Sequence, residues 1–362
     1  MNGKSILTAF VLTSMLLPIM AVAVPIASAQ QPGEGWIPDI ETPDNWDEYT
    51  EISGAYSEDL SGKVQITADT NVAGDVSIDA DVRGTGDLTV SGSVSGSVQI
   101  TGDVSVSVDV GAGGSVKASG NVTAGGSVSG TVEAGESVTV SGTISGSVTA
   151  GGSVTVGGSV EAGGSVTLTT PGVTLDVSGG IAGDVTVTED ATVNVGYVKP
   201  ENPMTVSVEA SALTGVSISV HNEVANVSID IVKLAEKPVE IEPTPPGVVC
   251  NYIRIDTENV IEADISIATI EFKVEKSWLV EVEISADDVI LSRYHDGNWV
   301  PLTVEQIGED TTYVYYRTTT PGFSTFAISG EKAELPLMLI AVAVVAIVIV
   351  CGLIAVTRKR GG

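Results

Sequence analysis

Few side chains in this sequence could do chemistry, so each can be weighed in turn. The histidines are His221 and His295; His295 precedes Asp296-Gly297, a two-residue turn signal, and reads as a surface hairpin position rather than a ligand or base. The cysteines are Cys250 and Cys351. Cys351 lies inside a long apolar run and Cys250 outside it, so no intrachain disulfide is expected and Cys250 reads as an unpaired thiol. The stretch WIPDIETPDNWDEYTE, Trp36 to Glu51, gathers Asp39, Glu41, Asp44, Asp47 and Glu48. Carboxylates suit a hard cation such as calcium, but this spacing fits no known loop, and a solvated cap or tether is the expected role. Asn121-Val122-Thr123 and Asn226-Val227-Ser228 match the N-glycosylation pattern. No Ser/His/Asp set, metal-spaced cluster or phosphate-cradling loop stands out. The expectation is a protein that is not an enzyme and holds no cofactor or metal.

The composition narrows the partners. Against 16 Lys and Arg stand 46 Asp and Glu, a formal net charge of -30 over 362 residues, which would repel a phosphate backbone. Nucleic acid is therefore excluded. The chain is 43% hydrophobic but only 4% aromatic, so small aliphatic side chains must do the packing.

What positions those side chains is an internal repeat. From Thr85 to Leu168 the chain divides into blocks of 16, 18, 16, 16 and 18 residues, among them TGDLTVSGSVSGSVQI and GESVTVSGTISGSVTA. Within the blocks the aliphatic residues Val122, Val128, Val132, Val138, Ile144 and Val148 recur at steps of six or four. Because every step and block length is even, strand alternation keeps them all on one face. Gly142 and Gly146 sit two residues before an inward aliphatic, where glycine eases a corner and leaves room for stacked backbones. Short strands and regular corners predict the coils of a parallel β-helix over residues 62–197, with about eight coils of about 17 residues. The acids of the repeat (Asp87, Asp103, Asp109, Glu133, Glu136, Glu161) look scattered, the only base is Lys117, and no aromatic residue occurs. That argues against a carbohydrate-active cluster on the solenoid. The GxVxGxV rhythm resembles the bactofilins, a resemblance that implies a small three-sided β-helix able to polymerise end to end.

After Gly196 the glycine rhythm stops, and alternating segments such as MTVSVEA predict an antiparallel sheet, with the Pro-rich EKPVEIEPTPPG as a loop within it. NYIRIDTENVIEADISIATIEFKVEKSWLVE, VILSRYHDGNWVPL and TTYVYYRTTTPGFSTFAISG follow in order. Over residues 204–330 the chain resembles the PGF-pre-PGF domain of archaeal cell-surface proteins. The resemblance implies a β-sandwich without assigned catalytic residues. Pro321-Gly322-Phe323 is also similar to the signal cut by archaeosortases, but there the tripeptide abuts the membrane span. Here residues 324–334 intervene, and the anchor is expected to stay uncut.

Both ends carry address information. Lys4, a long apolar stretch and Ala27-Ser28-Ala29 have the layout of a secretory signal over residues 1–29. LPLMLIAVAVVAIVIVCGLIAV, Leu335 to Val356, has no charge and as a helix would extend roughly 33 Å, enough to cross a bilayer. The basic tail of residues 357–362, with Arg358, Lys359 and Arg360, places the C-terminus in the cytoplasm and the remainder outside. The expected fold is all-β: an acidic cap or tether over 30–61, the parallel β-helix, a β-sandwich and a C-terminal transmembrane helix at 335–356. The expected function is a membrane-anchored archaeal surface spacer, envelope scaffold or adhesin, with the lipid bilayer as partner and envelope proteins or glycans as further contacts. Two alternatives stand beside it: a surface carbohydrate-binding or carbohydrate-active protein using the β-helix face, and an exported bactofilin-like polymer former.

Overall fold

The computed structural model describes residues 36–209 and 211–332; the expected signal at 1–29 and membrane span at 335–356 lie outside them. No helix among the described residues is long and apolar enough to cross a membrane. The chain is all-β, and its N-terminal part is a parallel β-solenoid of about nine turns. Each coil has a four-residue strand, a three-residue strand and a single bridge position, as in Ser147–Ala150, Val154–Val156 and Val160. Leu60, Val76, Val94, Val110, Val128, Ile144, Val160 and Ile181 stack as parallel bridges, at steps of 16, 18, 16, 18, 16, 16 and 21 residues. The even steps let every inward residue meet its like. Val132, Val148 and Val166 are register partners and fully buried, as are the other aliphatic positions expected to face inward.

Glycine serves the stack more by leaving room than by turning corners. A Cβ on Gly146 would lie 2.0 Å from the carbonyl oxygen of Gly130, and one on Gly130 would lie 2.2 Å from that of Gly114. Only hydrogen fits in that column. The two extra residues of the 18-residue coils fall at one corner, the turns Ser77–Ala80 and Gly111–Gly114, and so leave both strand ladders in register.

The ladder begins at Thr50, inside the segment read as a cap or tether over 30–61. Strand Thr50–Tyr56 pairs in parallel with Lys63–Val72 and supplies the first coil, with Ile52 and Tyr56 packed against the core. At the other end, Asp184–Thr188 pairs in parallel with Met204–Glu209, and Thr174–Val177 with Ala191–Val198. Each last strand then starts an antiparallel ladder. One runs Met204–Glu209, Leu213–Val220, Ile265–Glu275, Tyr313–Thr320, Val304–Glu309. The other runs Ala191–Val198, Val224–Leu234, Val248–Glu258, Thr325–Gly330, Val289–His295, Asn298–Leu302. The inner residues of both, among them Ile218, Phe272, Ile231 and Phe326, join the solenoid's aliphatic residues in one buried cluster. The Pro-rich segment stays within this unit: the Lys237 ammonium donates to the carbonyls of Ile241, Glu242 and Pro243, and Trp299 Nε1 donates to Pro243 at 2.9 Å.

Candidate functional site

The acids of the solenoid are not scattered. In one corner column Asp69 accepts the N–H of Asp87 at 3.0 Å, Asp87 that of Asp103 at 2.9 Å, Asp103 that of Asn121 at 2.7 Å, and Asn121 that of Ser137 at 3.1 Å. In a second, Asp59 accepts from Asp75, Asp75 from Ser93, and Asp109 from Ser127. Each side chain satisfies the backbone N–H one coil further on, at corners where the parallel ladder leaves it free. The sequence hid this because acceptor and donor are 16 or 18 residues apart. No group of three or more metal-ligating side chains occurs among the described residues.

The two glycosylation candidates differ. Asn121 belongs to the column, and its Nδ2 donates to Asp103 at 3.3 Å and to Glu136 at 2.8 Å; a glycan there would replace one of these donations. Asn226 is exposed, at φ 54°, a left-handed conformation that asparagine tolerates. His295 closes a hairpin through Asp296 and Gly297, both at positive φ, as expected, and His221 is exposed in a turn.

Residues 36–48 lie along the outside of the solenoid. Glu41 N–H donates to Gln99 Oε1 at 3.1 Å, Arg83 donates to the Glu41 carbonyl at 3.0 Å, and Tyr49 Oη donates to Asp81 at 2.6 Å. Glu48 pairs with Lys63, and the Trp36 carbonyl would lie 2.8 Å from a Cβ on Gly151. The acids considered for calcium are thus strung along a strap; Glu41 and Glu48 already hold cations. Of the aromatics expected to cover the open end of the solenoid, Tyr56 packs on the core, whereas Trp46 stacks edge-on against Tyr49, 5.2 Å between centroids.

Pro321-Gly322-Phe323 forms a braced turn. Arg293, its side chain 5% exposed, pairs with Glu262 and donates to the Phe323 carbonyl at 3.3 Å. A Cβ on Gly322 would lie 2.7 Å from Glu262 and 3.1 Å from Arg293, so the glycine leaves space for the ion pair. The chain then continues directly into strand Thr325–Gly330.

The best-formed concavity, about 420 Å³, lies between the two antiparallel ladders and is lined by Lys233, Cys250, Asn251, Lys273, Trp278 and Tyr313, with Glu275 and Ser211 beside them. Burial, with the Glu275 carboxylate adding to it, pushes the Cys250 thiol up to about 11. It is a neutral thiol at ordinary pH and a poor nucleophile. Lys233 is held by Glu189 at 2.9 Å, and the Lys273 ammonium lies 4.5 Å from the centre of the Tyr313 ring. Sequence reasoning missed Arg293 and Lys273, since neither has a local motif: their partners are 30 or more residues away.

Comparison with known protein families, curated proteins and solved structures gives no match for this chain.

Proposed function

We propose that this protein is a membrane-anchored archaeal surface protein that acts as a rigid spacer or envelope scaffold. In this reading residues 1–29 direct export, the two antiparallel ladders form the β-sandwich of a PGF-pre-PGF domain, and residues 335–356 cross the membrane with the basic tail inside. The observation that carries it is the unbroken core, in which solenoid and antiparallel unit share one buried cluster and so resist bending at their junction. The outward column of the three-residue strands supports the same reading. Thr89, Ser105, Thr123, Thr139 and Thr155 stand in register, small hydroxyl side chains suited to a solvated surface rather than to chemistry.

The test is placement. The full-length protein should stay with membranes through alkaline carbonate, and truncation after Glu334 should release it; release of the full-length form overturns the anchor. Removing one 16-residue coil, Gly135–Ala150, should shorten the projection by about 4.8 Å in electron micrographs of labelled envelopes.

A further inference from the structure

In a chain with 46 acids and 16 bases, a cation without a carboxylate is conspicuous. Among the described residues every lysine and arginine but one contacts a carboxylate or, for Lys237, backbone carbonyls. The exception is Lys273, in the cleft between the ladders. Its ammonium rests on the Tyr313 ring, although Glu275 lines the same cleft two residues along the strand. An ammonium on an aromatic face is partly withdrawn from water and keeps N–H donors for an incoming anion.

The surrounding groups say what kind of anion. Trp278 and Tyr313 offer ring surfaces, the Asn251 amide both donates and accepts, and the Glu275 carboxylate accepts from hydroxyls. Aromatic surface beside hydrogen-bonding groups fits a sugar ring, whose C–H face is apolar and whose edge is polar. A bare phosphate would leave the aromatic surfaces unused, and Glu275 would repel a doubly charged group more than a single carboxylate. We propose that this cleft binds a uronic-acid unit of a glycan. Its carboxylate meets Lys273, its hydroxyls meet Asn251 and Glu275, and its ring lies against Trp278. The volume of about 420 Å³ is at the small end of ligand pockets and suits a terminal sugar. The activity goes beyond that of a spacer and needs no chemistry from the solenoid; its test does not depend on the membrane anchor.

The experiment is saturation-transfer NMR on the full-length protein in detergent micelles, titrated with sodium glucuronate, with glucose and sodium acetate as controls. Glucuronate should bind saturably and about tenfold or more tighter than either control. Lys273→Gln should weaken it by about tenfold or more, Lys273→Arg should retain most of the binding, and Trp278→Phe should weaken it several-fold, with near-UV circular dichroism confirming that each variant is folded. The proposal is overturned if glucose or acetate binds as well as glucuronate, or if folded Lys273→Gln binds glucuronate unchanged.

Discussion

In the solenoid, Val98, Val116, Val132, Val148 and Val166 occupy one position in successive coils, each paired with its like. In the antiparallel unit Phe272 stacks on Tyr316, 5.2 Å between centroids, and no such pair recurs. The first region divides its stability among small, interchangeable contacts between neighbouring coils. The second concentrates it in a few large side chains, and this difference can be broken experimentally.

The largest effect should come from a charge in the repeat core. Val148→Asp places a carboxylate with no partner among valines and should cost about 3–5 kcal/mol in guanidinium unfolding. Ser147→Asp, one residue along and half-exposed, should stay within about 0.5 kcal/mol; equal effects would show the register to be wrong. Next, Phe272→Ala should cost about 3–5 kcal/mol, whereas Val132→Ala should cost roughly 2 kcal/mol, from two methyl groups. Similar losses would show that stability is spread evenly across both regions.

The corner columns predict a smaller effect. Asp103→Ala removes the acceptor for the Asn121 N–H and should cost about 1–2 kcal/mol, while Asp103→Asn keeps an acceptor and should be close to neutral. If the two variants unfold alike, the carboxylate itself matters rather than its oxygen.

The smallest effect is alkaline. Burial raises Cys250 from 9.0 to about 11, and burial with Asp287 raises Tyr316 from 10.0 to about 12. Both folded-state values lie above the unfolded ones, so the stability they contribute is present below about pH 9 and is lost as pH rises toward 12. Both groups belong to the antiparallel unit. Near-UV melting should therefore weaken with pH, and Tyr316→Phe should remove the part above pH 10.

The repeat made much of this architecture legible. Its even spacing fixes which residues face inward whatever the distance between coils, and Val122 through Val148 are buried as that spacing requires. Alternation also foretold the antiparallel pairing after Gly196, and Asp296-Gly297 its hairpin. The first coil was not legible, because TEISGAY has none of the repeat's glycine rhythm and pairs across a register shift between Ile52 and Gly54. The acid columns were missed because their meaning lies between coils. Asp103 looks isolated until the chain returns to bring Asn121 above it. Lys273 is hidden for a related reason: a sequence shows how many acids are present, but not which of them reach a given ammonium.

The strap of residues 36–48 has a mechanical consequence. A solenoid held by bonds between successive coils is weak to peeling, since a pull on its free end loads one coil at a time. The strap leaves the first coil at Tyr49 and runs back along the flank, meeting the coils of Lys63, Arg83, Gln99 and Gly151. A tug on the N-terminus is thus taken first by contacts spread over several coils, in shear, before any coil is opened, much as a lashing protects the end of a rope from fraying.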